Sequence, residues 1–238
     1  MGVPRVARVL IVAPHPDDES IGCGGTAALL SAAGTEVSLL VATDGEATLG
    51  SALPASRLGA CRRSEVIRAA AVLGVATPTF LGLPDGHLSE RTESLATALA
   101  EEIQRCRPEI LFVPSPLEDH VDHRAVNTAL LRTTLPRPLE VWGYETSTPV
   151  PANRIIDITA VVAKKEAALA AHATAKLAFD ISAILGLNRY RSIHGLMGRG
   201  WAEGFLSGSA ADYLGLLHTI SERSQVGSAD SPLSLYQT

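Results

Sequence analysis

The feature that most constrains this chain is an aliphatic run that stops abruptly at a polar turn. Arg8-Val9-Leu10-Ile11-Val12-Ala13 leads directly into Pro14-His15-Pro16-Asp17-Asp18-Glu19. A strand so apolar suits the middle of a parallel sheet covered on both faces. In such sheets ligands bind beyond the carboxyl ends of the strands, which is where this turn delivers an imidazole and its carboxylates. The two prolines stiffen the backbone on either side of His15. A stiff turn of this kind can present His15 and Asp18 to one cation, in the nitrogen and oxygen surroundings that suit zinc. The same carboxylates would equally suit the start of a helix near Ser20, so the turn alone leaves both readings open.

A second cluster, Glu118-Asp119-His120-Val121-Asp122-His123, follows another apolar run, Ile110-Leu111-Phe112-Val113. By itself it reads as well as a solvated charged loop. Two such strand ends above one sheet, however, supply three protein ligands, His15, Asp18 and His123, and leave a position open for water.

Between the clusters the chain alternates strand and helix signals. A helix is expected from Thr26 to Ala33 with Gly34 as its stop, then a strand from Glu36 to Ala42, completing a β-α-β unit. A helix over Leu58 to Leu73 ends at Gly74, and a strand over Thr79 to Leu81 leads to the turn Pro84-Asp85-Gly86. Leu95, Leu99 and Ile103 mark one face of a helix from Glu90 to Arg105. A strand from Glu109 to Val113, a helix from Arg124 to Arg132, and strands at Leu139 to Tyr144 and Arg154 to Ile158 follow. Ala160 to Leu177 reads as a helix with Lys164-Lys165-Glu166 on a solvated face and His172 as a packed or half-exposed side chain. The chain has 238 residues, enough for one sizeable core. The expected organisation is a single domain over residues 1–222 and a tail of disordered composition over 223–238.

Composition narrows the function. With 46% hydrophobic and 19% charged residues the chain is globular, and a formal charge of −5 argues against nucleic acid as a partner. No apolar run is long enough to cross a membrane, and Val6 stands where myristoylation needs Ser or Thr. Cys23, Cys61 and Cys106 are odd in number and widely spaced, reading as buried free thiols of a reducing compartment, hence a cytoplasmic protein. The expected partner is a small molecule, with homo-oligomer formation left open. Gly22-Cys23-Gly24-Gly25-Thr26-Ala27 formally matches a dinucleotide fingerprint, with Asp44 further on. That fingerprint should open directly after the strand, whereas here the whole His-Pro-Asp-Asp-Glu turn intervenes. The glycines are read instead as letting the helix approach the metal loop.

The two clusters, with Thr43-Asp44-Gly45-Glu46, Arg62-Arg63-Ser64-Glu65, Leu73-Gly74-Val75, Leu83-Pro84-Asp85-Gly86 and Ala202-Glu203-Gly204-Phe205, resemble the LmbE/PIG-L family of zinc-dependent de-N-acetylases. The resemblance runs in order from Val9 to Phe205. It implies an α/β fold with a Rossmann-like, mostly parallel sheet and helices on both faces. It further implies hydrolytic removal of an acyl group, acetyl by default, from the nitrogen of an amino sugar or a metabolite containing one. Zinc is the expected cofactor, with another divalent transition metal as the alternative. Asp17 takes the place of the family's general base. His120 takes that of an imidazole which stabilises the oxyanion or protonates the leaving amine, and Arg62 and Asp85 those of substrate contacts. Asp122 is read from its position as orienting an imidazole, and Glu19 as structural. Trp201 and Glu118 stand where many or some relatives carry Tyr, which bears on how the intermediate is held or which substrate is accepted. Arg189 to Gly204, with Tyr190, Arg191, His194 and Trp201, is rich in groups suited to a sugar. Two other readings remain open, a dinucleotide-binding oxidoreductase and a catalytically silent sugar-binding protein.

Overall fold

The aliphatic run forms β1 (Arg8–Ala13) near the middle of a seven-stranded sheet. The computed structural model describes residues 2–48, 50–174 and 180–227. The other strands are β2 (Glu36–Thr43), β3 (Thr79–Leu83), β4 (Ile110–Pro114), β5 (Glu140–Tyr144), β6 (Arg154–Asp157) and β7 (Ala202–Ser209), in the order β3-β2-β1-β4-β5-β7-β6. The first five in that order run parallel, and β7 pairs antiparallel with both β5 and β6. The result is one domain with a mostly parallel sheet and helices on both faces.

Alternation along β1 explains the two layers. Val9, Ile11 and Ala13 join a core with α1 (Asp18–Ala32), α2 (Ala55–Leu73) and α5 (Val162–Ala171). Leu10 and Val12 join the opposite core with α3 (Thr92–Cys106), α4 (Val121–Leu130) and α8 (Ala210–Gly227). Because successive side chains of a strand point to opposite faces, a strand buried on both sides must be apolar throughout, as this one is. Two further helices, α6 (Ile181–Arg191) and the short α7 (Ile193–Leu196), precede β7.

Most expected elements lie within a few residues of their places. The helix after β1 instead begins at Asp18, inside the acidic turn, and is broken at Cys23, where φ is −142° and ψ 16°. The glycines therefore sit within a helix and not at a strand-to-helix turn, which removes the basis of the dinucleotide reading. They serve close packing, but not against the metal loop. A Cβ on Gly22 would strike the Tyr144 ring, and one on Gly25 would come within 2.7 Å of Ile158.

The break also corrects the reading of Lys165. Interrupting the helix frees the Ile21 carbonyl and the Gly25 and Thr26 amides, which must find partners when buried. Lys165 Nζ donates to Ile21 O at 2.7 Å, and Glu203 accepts from the two amides at 2.8 and 2.7 Å. The two side chains pair with each other at 2.6 Å and are fully buried. Lys164 and Glu166 are exposed as expected, but Lys165 fills the gap in α1.

Cys23 and Cys106 are buried, whereas Cys61 is exposed. The expected helix to Leu177 ends at Ala171, and residues 175–179 lie outside the described residues. α8 runs on to Gly227, and the part of the expected tail from 228 to 238 also lies outside them. No helix among the described residues is long and apolar enough to cross a membrane.

Candidate active site

The ends of β1 and β4 are neighbours in the sheet, so the two polar clusters meet above its carboxyl edge. The first turn is tied down by Thr43 at the end of β2, whose amide and hydroxyl both donate to Pro14 O at 3.0 Å. Within it Asp17 adopts φ 141°, a conformation that L side chains rarely occupy and that persists only where surroundings enforce it. Those surroundings are clear. Glu19 Oε2 accepts from the Asp17 amide at 3.1 Å, and Arg62 donates to Asp17 Oδ2 at 2.8 Å. Arg62 is itself buried, with its other donors on Pro16 O, Gly45 O and Thr48 Oγ1.

His15 Nδ1, Asp18 Oδ2 and His123 Nε2 form a triangle with edges of 3.2, 3.3 and 3.3 Å. Ligand atoms about 2.0–2.1 Å from a tetrahedral zinc ion lie about 3.3–3.4 Å apart, so this donor set has the size and chemistry to hold one. Two wider groupings, His15/His120/His123 and His15/Asp85/Asp122, also have ligand atoms within 4.8 Å of one another. Apart from His120 Nε2, their other members already accept from backbone amides, as Asp18 Oδ2 does from that of His15 at 2.8 Å. His120 Nδ1 accepts from the Asp122 amide at 3.2 Å, Asp122 accepts from the Gly86 and Leu88 amides at 2.7 and 3.0 Å, and Asp85 Oδ2 accepts from the Ala47 amide at 2.9 Å. The triangle is the tightest of the three arrangements.

Electrostatics point the same way. Burial opposes a charge on His15, but Asp122, Asp18 and Asp85 outweigh it and raise its pKa well above the ordinary value. Burial alone would raise Asp18, yet His123 and His15 hold it well below the carboxylate range. Both shifts have one cause, the close packing of carboxylates against the two imidazoles. Asp17, whose burial outweighs the opposing Arg62 guanidinium, is pushed up to about 7. Burial, followed by the neighbouring His15 and His123, lowers the His120 pKa. With Nδ1 accepting from a backbone amide, the hydrogen-bond pattern assigns the neutral His120 proton to Nε2.

The structure brings His15, Asp17, Asp18, Arg62, Asp85, His120, Asp122 and His123 into one neighbourhood. Asp122 Oδ2 lies 3.2 Å from His15 Nε2, so the imidazole within its reach belongs to the other cluster. Asp85 Oδ1 lies 3.2 Å from the same nitrogen. A cavity of about 790 Å³ opens over these groups, a size usual for small-molecule sites, and Arg62, Asp85, His120 and His123 are among its lining. Tyr190, Arg191, His194 and Trp201 are not. Arg191 pairs with Glu145 and donates to Val150 O, while Trp201 lies against Thr159 and Arg189. The wall on that side comes instead from Ala183, Ile184 and Leu187 of α6.

Several groups had no readable signal. Thr146 Oγ1 lies 3.3 Å from His123 Nδ1, with Glu118 Oε2 3.8 Å away. Glu118 is buried and also accepts from the Thr146, Ser147 and Thr148 amides, so it organises the loop after β5. His172 is fully buried with Nε2 2.9 Å from Glu19 Oε1, which fixes the glutamate that holds Asp17. The place of Glu118 at the head of the second cluster was a hint, whereas nothing near His172 or Thr146 pointed to a partner.

Comparison with known proteins follows the same residues. The family described as PIG-L, GlcNAc-PI de-N-acetylase, matches residues 10–134. Diacetylchitobiose deacetylase of Thermococcus kodakarensis is 36% identical over 123 residues, covering 50% of this chain and 46% of that protein, so the match spans about half of the relative's length. A Bacillus subtilis protein named probable N-acetyl-alpha-D-glucosaminyl L-malate deacetylase 2 is 32% identical over 182 residues, covering 70% of this chain and 82% of its own. The solved structure of N,N'-diacetylchitobiose deacetylase from Pyrococcus horikoshii superposes with a TM-score of 0.72 at 26% identity, covering 87% of this chain and 85% of that one.

Proposed function

Since the chain belongs to the PIG-L family of GlcNAc-PI de-N-acetylases, we propose that it is a metal-dependent hydrolase that removes an acyl group from the nitrogen of an amino sugar or a metabolite containing one. The observation that carries this reading is the triangle of His15 Nδ1, Asp18 Oδ2 and His123 Nε2 beside a buried Asp17. Two imidazoles and one carboxylate favour zinc, with another divalent transition metal as the alternative. Such an ion, when bound, would supply Lewis acidity toward an amide carbonyl and acidify water at neutral pH.

The remaining work falls to the protein. Arg62 occupies Asp17 Oδ2, which leaves Oδ1 to take a proton from the attacking water. His120 Nε2–H can donate to the developing oxyanion or to the departing amine. Asp122 can accept from His15 Nε2–H and Thr146 Oγ1 from His123 Nδ1–H, so that His15 Nδ1 and His123 Nε2 would be the nitrogens available to hold a cation. Asp85 and Thr48, which line the β2 and β3 side of the cavity, are the groups we assign to sugar hydroxyls, while Arg62, whose donors are taken up within the protein, would fix Asp17 and Thr48 at the edge of that subsite. The relatives named for N-acetylated sugars support that substrate class.

Elemental analysis of wild type beside His15→Ala, Asp18→Ala and His123→Ala tests the site. About one ion per chain is expected in wild type and little in the variants. Undiminished metal in all three would reject the ligand set. Metal retained without amine release from any N-acyl amino sugar would favour a silent binding protein.

Asp85→Ala tests the sugar contact. Loss of a hydroxyl partner from a site built to hydrogen-bond it costs about 1–3 kcal/mol, or roughly 5- to 150-fold in kcat/KM. That loss is expected on a sugar amide and not on an N-acetyl compound lacking the ring. Equal loss on both, with metal retained, would mean that Asp85 acts through His15 alone.

A further inference from the structure

The cavity over the metal cluster has two unlike sides, and the strand order sets them apart. β1 and β4, which carry the cluster, lie between β2 and β3 on one flank and β5 and β7 on the other. The first flank presents Arg62, Thr48 and Asp85. The second presents Thr146, Ser147 and Pro149 near the cluster and, beyond them, the apolar Ala183, Ile184 and Leu187 of α6; Ile21 of α1 also lines the cavity.

The α6 wall is built against the usual preference. Its buried residues are the polar Asn188 and Arg191, while Ile184 and Leu187 remain half-buried toward the cavity. A helix normally buries its apolar face and exposes its polar one. Here Asn188 donates to Ala202 O at 3.1 Å and Arg191 is paired with Glu145, so the helix is anchored through polar groups. Among the described residues, Ile184 and Leu187 turn instead to the cavity.

Building on the deacylase reading, we infer that this flank is an acyl subsite that accepts N-acyl chains longer than acetyl. A secondary amide is planar and trans, so the acyl chain and the sugar ring leave the C–N bond in opposite directions. With the ring on the Arg62 and Asp85 flank and the amide carbon over the cluster, the chain runs toward Ile184 and Leu187. Hydrolysis balances as for any amide: water oxygen bonds to the acyl carbon, the C–N bond breaks, and the nitrogen takes a proton. The products are a fatty acid and a free amino sugar.

Two substrate series test the proposal on the metal-loaded protein, with amine release as readout. In N-acyl glucosamines from acetyl to hexanoyl, kcat/KM is expected to rise by up to about fourfold per methylene. In alkyl glycosides of N-acetylglucosamine, methyl to hexyl, it is expected to stay flat. Ile184→Asn and Leu187→Asn, both at half-buried positions, should each lower the hexanoyl-to-acetyl ratio by roughly tenfold while melting as a folded protein. Binding of hexanoate relative to acetate, measured by calorimetry, should fall in parallel. A flat or falling acyl series, or a rise confined to the glycoside series, would overturn the inference and leave the deacylase reading standing. No amine from any member of either series would overturn both.

Discussion

Asp17→Asn is expected to keep its metal ion and to lose amide hydrolysis by at least about 10²- to 10⁴-fold, the contribution typical of a positioned base. The substitution preserves shape, and asparagine is among the residues that best tolerate positive φ, which this position requires. Arg62 donates to Asp17 Oδ2, so in the variant the side-chain amide oxygen would turn toward the guanidinium and place the NH2 group where a proton must be accepted. Substrate affinity should change little, because the lost interaction is made only as the proton moves. Metal content and steady-state kinetics on one N-acyl amino sugar decide the matter. A variant that had lost its ion would make Asp17 a ligand and transfer the base role to Asp18.

Lys165→Met is expected to destabilise the fold by about 3–5 kcal/mol, the usual cost of removing one partner from a buried ion pair. It strands the Glu203 carboxylate at zero exposure and leaves Ile21 O without its donor. For a domain of this size that corresponds to a fall in Tm of roughly 6–20 °C. Adding Glu203→Gln to Lys165→Met should recover part of the loss, since it removes the uncompensated charge while retaining an acceptor for one of the Gly25 and Thr26 amides. Thermal melts of the two variants and wild type check this. A Lys165→Met protein that melted with wild type would show that the break in α1 is held by packing alone.

What the sequence made legible was local. An aliphatic strand ending in His-Pro-Asp-Asp-Glu declares both its burial and its polar end, and the second cluster after β4 repeats the signal. Partnerships across the chain were not legible. Lys165 looked solvated because its neighbours Lys164 and Glu166 are, and its partner stands 38 residues away. Glu19 and His172 are 153 residues apart, so neither predicts the other. The glycines of α1 were visible, but what they make room for, Tyr144 and Ile158, depends on sheet order. The cavity wall was misplaced along the chain, because Arg191 and Trp201 have sugar-binding chemistry while Ile184 and Leu187 look like ordinary core. Once β7 reverses direction beside β5, the polar residues are the ones that anchor α6.

The interruption of α1 at Cys23 also divides the helix electrically. Aligned peptide dipoles place partial positive charge at a helix N-terminus and partial negative charge at its C-terminus. The positive end of the first segment lies at Asp18 and Glu19, where it favours ionised carboxylates. From Asp18 to Gly22 that segment is only about 7 Å long, so its negative end falls close enough to cancel much of the benefit. Lys165 sits on that end, and Glu203 covers the positive end of the segment that follows. The acidic turn therefore feels one pole of a helix with the other neutralised. Lys165, which lines no part of the cavity, thereby neutralises the end of the segment opposite Asp18 and Glu19.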